Sequence, residues 1–209
     1  MDVEKQQRKV WETIADSWST LFNRPEKIVV EMAKEIKKGK VLDVGCGNGR
    51  NLIPFAEKNL TCVGLDFSRS MVREAKRMFR KKGLKGFFVV GEASSLPFKD
   101  KKFSLVVFVR SLHNIPTRKN RVMALKECKR VGKKLILSVW KKWQPRFFKK
   151  LLLNFLRSDV YVTWKYHGKP ILRFYHLYTK KELKEDLMKA GYMKFKIFED
   201  GKGNIWVVS

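Results

Sequence analysis

The sequence predicts an α/β fold, a mostly parallel sheet with helices on both faces. Three observations carry that expectation. Short apolar runs at 41–44, 61–65, 87–90, 105–109 and 135–139 alternate with helix-like segments, which is how strands covered on both sides read. A glycine-rich turn, Gly45-Cys46-Gly47-Asn48-Gly49, directly follows the first run. An acid, Asp66, closes the second.

The elements follow in chain order. Val10, Ile14 and Trp18 recur at steps of four, with Trp11 alongside, so residues 5–20 form a helix. A second helix over 25–38 opens at Pro25, whose missing N–H suits a first helical position, and ends at Gly39 as C-cap. The glycine turn opens a helix over 50–58. Ser68 is the N-cap of a helix through Lys82, with Met71, Ala75 and Met78 on one face. A helix over 117–130 separates the fourth and fifth apolar runs. After Trp140 the alternation stops: 141–178 holds a basic amphipathic helix at 145–157, then aromatic-rich irregular chain, and reads as an insertion. A last helix over 179–190 ends at Gly191. Tyr192–Phe198 and Gly203–Val208 close the fold as strands, turning at Asp200-Gly201. At this length a single domain is expected, divided into an N-terminal helical lid (1–38), a ligand-binding core (39–140), the insertion (141–178) and the closing elements (179–209).

Composition narrows the partners. The 209 residues carry 47 Lys+Arg against 20 Asp+Glu, a formal net charge of +27. With 44% hydrophobic residues a core is assured and wholesale disorder excluded. The excess of cations points to a polyanion, nucleic acid or another anionic surface. No apolar run reaches the roughly 18–20 residues that span a bilayer, and the charged N-terminus lacks a signal-like core, so a soluble cytoplasmic protein is expected. Cys46, Cys62 and Cys128 are too few and too scattered for a disulfide framework or a zinc site, and no metal is expected.

Gly45, Gly47 and Gly49 permit a tight strand-to-helix turn and close approach of a ligand to the backbone. Asp66 can accept hydrogen bonds from both hydroxyls of a ribose. Asp43, just before the glycines, would repel a pyrophosphate but suits an ammonium. A ligand with a ribose end and an amino-acid end points to S-adenosylmethionine. Over about residues 40–140 these residues, with Glu92-Ala93-Ser94-Ser95-Leu96-Pro97-Phe98, resemble the class I S-adenosylmethionine-dependent methyltransferases. The resemblance implies a Rossmann-like, seven-stranded fold. It also implies Gly45 and Gly47 under the methionine and ribose, Asp66 and the following Phe67 at the ribose, and Glu92-Ala93 beside the adenine. Val109-Arg110-Ser111 would line the reactive end, with S-adenosylhomocysteine as product; separately, Arg24, just before Pro25, is a candidate to reach the methionine carboxylate.

The flanks resemble a narrower group, the tRNA wobble-uridine carboxymethyl methyltransferases. Trp11-Glu12-Thr13-Ile14-Ala15-Asp16-Ser17-Trp18-Ser19, Asn23-Arg24-Pro25, Thr117-Arg118-Lys119-Asn120-Arg121, Asp159-Val160-Tyr161-Val162-Thr163-Trp164, Arg173-Phe174-Tyr175-His176-Leu177-Tyr178 and Gly203-Asn204-Ile205-Trp206-Val207-Val208 carry that likeness. The chain departs from the group's pattern at Ser111-Leu112-His113-Asn114-Ile115, where paired histidines are usual, and at Thr163-Trp164-Lys165, where Pro-Trp-His is common. The resemblance implies esterification of a 5-carboxymethyl group on tRNA uridine 34. A carboxylate with a pKa of about 4 is ionised at neutral pH, so no general base is required. Catalysis reduces to orienting one oxygen towards the methyl and stripping it of water, and the candidates for holding the other oxygen are Arg110, His113, Arg173 and His176. Trp164, Tyr175 and Arg118 are candidates for substrate contact. So is Asp159, the sole acid between Glu127 and Glu182, which would orient a neighbouring cation.

Two basic stretches dominate the charge, 69–85 and 129–157. The second includes Lys149 and Lys150 and interleaves Trp140, Trp143, Phe147 and Phe148, a pattern that suits phosphates and splayed bases. Residues 145–157 also suit a membrane-surface helix, so methylation of a small molecule, quinone or lipid, or of another RNA base, is the alternative reading. Stable membrane association is not expected. Phe87-Phe88-Val89-Val90 should form an apolar edge strand, where the resemblance implies docking of a small zinc-containing activator protein.

Overall fold

The apolar runs all become parallel strands of one sheet. The structure, a computed structural model, describes residues 3–153 and 155–209. Its elements are α1 (Val3–Leu21), α2 (Lys27–Glu35), β1 (Lys40–Val44), a 3₁₀ turn (Arg50–Leu52) leading into α3 (Ile53–Ala56), β2 (Thr61–Asp66), α4 (Arg69–Lys81), β3 (Phe87–Val90), β4 (Leu105–Val109), α5 (Arg118–Val131) and β5 (Leu135–Trp140). Then come α6 (Pro145–Leu153), β6 (Asp159–Tyr166), β7 (Lys169–His176), α7 (Lys180–Lys189), β8 (Lys196–Glu199) and β9 (Asn204–Val208). The main sheet has seven strands in the order β3-β2-β1-β4-β5-β9-β8, parallel except for β9, which runs antiparallel to β5 and β8.

Strand side chains alternate between two cores. Leu42, Val44, Val106 and Phe108 face α5 and α7, with Leu125, Leu183 and Leu187. Val41, Leu105 and Val107 face the opposite side, where Val29, Phe55, Val72, Ala75 and Phe79 of α2, α3 and α4 cover them. A third cluster joins α1 to α6 and β7 through Trp11, Ile14, Phe147, Leu151 and Tyr175. Among the described residues no helix is long and apolar enough to cross a membrane.

Several boundaries differ from the sequence expectation. Helix α2 begins at Lys27, not Pro25, and ends at Glu35, because Glu26 and Ile36 are both extended. Gly39 is no C-cap; it lies at φ +112 beside Ser104, whose side chain a Cβ would overlap. The helix expected over 50–58 is a 3₁₀ turn and a single α-turn, halted by the left-handed Asn59 (φ 60). Helix α6 stops at Leu153, and Phe155 and Leu156 are left-handed (φ 47 and 59), so Phe155 leaves the apolar stripe and is 89% exposed. The first closing strand is confined to β8, although the turn at Asp200-Gly201 is present: Asp200 Oδ1 accepts from the amides of Lys202 and Asn204.

The largest difference is at 159–176, where an antiparallel hairpin replaces irregular chain. It pairs Val162 with Arg173 and Asp159 with His176. Its turn is His167-Gly168, both at positive φ (47 and 76), the geometry whose twist suits a two-residue hairpin. Gln7 of α1 tethers this hairpin, accepting from the Phe174 amide at 2.9 Å and donating to the Leu172 carbonyl at 3.3 Å.

Candidate cofactor and acceptor site

The strand order reverses between β1 and β4, and in open α/β sheets the crevice beyond the strand ends at such a point is the ligand site. Gly45 leaves β1 here and Ser111 follows β4. Gly45 has φ +64, and a Cβ on it would overlap the Ser111 side chain. A cavity of about 430 Å³ opens beside them, lined by Leu65, Phe67, Glu92 and Ala93 on one side and Gln7 and Arg8 of α1 on the other. A smaller cavity shares Gly45, Phe67, Ser111 and Asn114 with it, and continues past Gly47, Asp66, Trp11, Trp18, Val109, Arg50 and Arg110.

Two buried carboxylates sit at this turn. Asp66 Oδ2 accepts from the Gly47 amide at 2.8 Å and Oδ1 from the Ser68 amide at 2.9 Å. Each oxygen keeps acceptor capacity. Burial pushes its pKa up to about 6, against the pull of those two amides. Asp43 is deeper, and neither of its oxygens has a hydrogen-bond partner. Its pKa is held well above the usual carboxylate range, by burial first and the Asp66 charge second, with Arg50 opposing. An unpaired buried carboxylate is costly, and a cationic ligand would relieve it.

Helix α1 covers the larger cavity and is fastened there by polar contacts. Arg8 pairs with Glu92 and donates to the Phe67 carbonyl at 2.6 Å. Asn120 of α5 donates to Glu4 at 2.7 Å. Glu12 accepts from the Arg69 and Ser70 amides at 2.7 and 2.9 Å, occupying the positive N-terminal end of α4.

Beyond Trp11 lies a second cluster, built on the Arg173 side of β7. The rings of Trp140 and Tyr175 stack at 4.2 Å, and His113 packs against both. The Trp140 amide donates to His113 Nδ1 at 2.8 Å, leaving the proton on Nε2. Burial, with the charges of Arg110, His176 and Arg146, holds the His113 pKa well below its ordinary value, so the ring is neutral. The Arg173 guanidinium is buried over Trp164, Tyr175 and Trp11, at 4.7, 5.4 and 5.9 Å from the ring centres. Its Nε has no partner, and among the described residues no carboxylate pairs with it. Trp164 is held in place by its indole N–H, which donates to Ser17 at 3.0 Å.

The structure thus brings together Gly45, Gly47, Asp66, Phe67, Glu92, Ala93 and Val109 at one cavity system, and His113, Arg173, Trp164 and Tyr175 at the adjoining cluster; Asp43 is buried beneath the glycine turn and lines neither cavity. Arg110 stands between them, left-handed (φ 54), with Nη1 3.1 Å from Glu26 Oε1.

Other expected residues are placed elsewhere. His176 is not at the cluster: Nδ1 lies 2.6 Å from Asp159 and Nε2 2.7 Å from Glu182, so both ring nitrogens are occupied. Asp159 Oδ1 is therefore directed at His176. Arg118 is committed to α7, with Asp186 at 2.7 Å and Glu185 at 3.0 Å. Arg24 lines a neighbouring cavity, not that of Gly45. Lys150 donates to the Tyr161 carbonyl at 2.6 Å, and Lys149 is exposed beside it on α6.

Two side chains make contacts that the sequence reading did not assign. Arg50 pairs with Glu26 at 2.8 Å, so one carboxylate bridges Arg50 and Arg110. Arg146 lies over the Trp140 ring at 4.4 Å. The position of Arg50, one residue after the glycine turn, was a usable signal.

The residues present fit S-adenosylmethionine. The glycine turn leaves room that a Cβ would fill, Asp66 retains acceptor capacity for ribose hydroxyls, and Asp43 lacks a partner for its charge.

Residues 41–134 match the family described as methyltransferase domain. The chain is 34% identical over 168 residues to a candidate methyltransferase of Encephalitozoon cuniculi, covering 77% of this chain and 72% of that protein. It is 31% identical over 136 residues to the tRNA (carboxymethyluridine(34)-5-O)-methyltransferase alkbh8 of Xenopus tropicalis, covering 63% of this chain and 20% of that protein. It is 31% identical over 140 residues to the demethylmenaquinone methyltransferase of Thermotoga maritima, covering 64% and 58%. The chain therefore spans one fifth of the Xenopus relative's length and little more than half of the Thermotoga one's. A crystal structure of a SAM-dependent methyltransferase from Methanosarcina mazei superposes with a TM-score of 0.70 at 24% identity, over 88% of this chain and 97% of that one, and so shares the fold.

Proposed function

The chain belongs to the class I S-adenosylmethionine-dependent methyltransferases, and from that premise we propose that it methylates a carboxylate oxygen of a 5-carboxymethyl-type uridine at position 34 of tRNA. The observation that carries the reading is Arg173, a buried guanidinium that hydrogen-bonds the Tyr175 side chain but has an unpartnered Nε and, among the described residues, no carboxylate paired with it. Burying an unpaired cation costs stability, and an acceptor carboxylate would offset that cost. The net charge of +27 and the tRNA-directed Xenopus relative support a nucleic-acid carrier for that carboxylate.

When bound, S-adenosylmethionine supplies an electrophilic methyl group. The chain's own residues supply placement. Asp66 accepts from the ribose hydroxyls, Asp43 balances the ammonium, and Gly45 and Gly47 let the backbone approach. Arg110 and Arg50 are the cations nearest the reactive end, in place of Arg24. Arg173 and the His113 Nε2–H hold the acceptor carboxylate, while Trp11, Trp164 and Tyr175 wall out water. A neutral, buried His113 is a poor proton acceptor, which suits a reaction that needs no base. Holding one oxygen leaves the other free to attack, so orientation is the main contribution.

A second reading is favoured by one observation. Phe148, Leu152 and Leu153 on α6 are exposed next to Lys149 and Lys150, a face that suits a membrane-surface acceptor of the kind the Thermotoga relative's name states. Cytoplasmic location and a small zinc-containing activator on β3 complete the proposal. Strand β3 is an edge of the sheet, and Phe87 on it is 65% exposed. Co-expression with such an activator should raise solubility or turnover; no change in either removes it.

The chemistry is tested by alkali. Label transferred to tRNA as a methyl ester is released as methanol under mild base, whereas label on a ring nitrogen or carbon is retained, and retention would refute an ester product.

A further inference from the structure

Three cavities share lining residues in series and together line a trough. The cavity at Gly47 shares Arg50 and Arg110 with one of about 830 Å³ lined by Phe22, Arg24, Lys27 and Trp206. That cavity shares Lys202 with a third, of about 450 Å³, lined by Lys141, Trp143, Arg146 and Gly203. The trough therefore runs from the reactive end of the cofactor site, past the start of α2, across the β8–β9 turn and on to α6.

Its acids are already committed. Glu26 bridges Arg50 and Arg110. Glu199 pairs with Lys141 at 2.5 Å and Lys180 at 3.1 Å. Asp200 caps its own turn, accepting also from Asn204 Nδ2 and Trp206 Nε1 at 2.6 and 3.0 Å. The side chains of Arg24, Lys27, Arg146 and Lys202 form no ion pair among the described residues. Aromatic faces stand near both ends. Phe22 is 6.3 Å from Trp164, which packs on Arg173, and Trp143 is 51% exposed at the far end.

We propose that this trough is a track for single-stranded RNA flanking the acceptor nucleotide, with Lys27, Lys202 and Arg146 meeting successive phosphates and Trp143 available to stack on a base. Spaced cations with interleaved aromatic faces suit a single strand, in which phosphates recur and bases splay. An acidic peptide would match the charge but leave the exposed indole without a role. The inference rests on the tRNA reading above and deepens it by naming the surface, which is distinct from the outward basic face of α4.

The experiment measures binding of an anticodon stem-loop RNA to the full chain across a salt series. The proteins compared are the unaltered chain, a Lys27→Ala/Lys202→Ala variant and a Lys76→Ala/Arg80→Ala variant on α4. Removing two phosphate contacts from a single strand should lower the slope of log affinity against log salt by about 1.4. Affinity should also fall several-fold near physiological ionic strength, with cofactor affinity by calorimetry unchanged. An unchanged slope in the trough variant, while the unaltered chain binds the RNA, overturns the track and leaves the tRNA reading standing. Equal competition by an acidic peptide also overturns it. Failure of the unaltered chain to bind any tRNA overturns both.

Discussion

The Gly47 amide donates to Asp66 Oδ2 at 2.8 Å, so the glycine turn after β1 and the acid closing β2 form one unit. That bond holds the turn open and aims the carboxylate at the cavity. Asp66→Ala removes both the ribose acceptor and the turn's tether. Cofactor affinity should fall by about 10–100-fold, the worth of a charged hydrogen bond of some 1.5–3 kcal/mol. Calorimetry checks this, and unchanged affinity would remove Asp66 from the site.

The same carboxylate sets a pH dependence. Its pKa of about 6 lies above that of an ordinary Asp. As pH falls through 6 the group protonates and loses acceptor capacity, so cofactor affinity should decline on the acid side of about pH 6. The apo protein should respond in the opposite sense. A carboxyl whose folded pKa is raised contributes stability below the unfolded value of about 4, and this is lost as pH rises towards 6.

Arg173 offers a test that separates function from stability. Arg173→Met keeps the bulk among Trp164, Tyr175 and Trp11 but removes a buried charge that no carboxylate pairs with among the described residues. Turnover should be lost, while the thermal midpoint holds or rises, because apolar replacement of poorly compensated charge is often neutral or stabilising. Cofactor affinity should be retained. A variant that unfolds, or that keeps full turnover, contradicts the role given to Arg173.

His176 should behave as a clamp. Burial pulls its pKa down, but the hydrogen bonds to Asp159 and Glu182 outweigh this and the net shift is upward. Its contribution to stability is therefore full below about 6.5 and is lost as pH rises through the folded value. His176→Gln should cost about 1–3 kcal/mol near pH 6 and markedly less near pH 9, measured by denaturant unfolding. Turnover should be largely kept. Loss of turnover in a folded protein would return His176 to the chemistry.

These cases show where the sequence was legible. Local rules needed only neighbouring residues: Ser68 caps the following helix by accepting the amide three residues on, and the glycine turn stands directly after β1. Parity at the hairpin was hidden, because 159–176 carries aromatic or apolar residues on both faces and reads as irregular. Once β7 is known, Arg173 and Tyr175 share one face, and His176, an odd number of residues from Arg173, must take the other. Glu26 was equally hidden. Its role depends on Arg50 and Arg110, which reach it only through the packing of α2 beside the switch point, and no spacing in the chain announces that meeting.

An acidic acceptor carried on tRNA is detected by nucleoside mass spectrometry. Purified protein, with its activator if one is required, is incubated with isotope-labelled S-adenosylmethionine and tRNA bearing 5-carboxymethyluridine, and the digested nucleosides are identified. The expected product is the labelled methyl ester of 5-carboxymethyluridine from position 34. Label on any other nucleoside, or transfer only to a quinone or lipid supplied in vesicles, would contradict it.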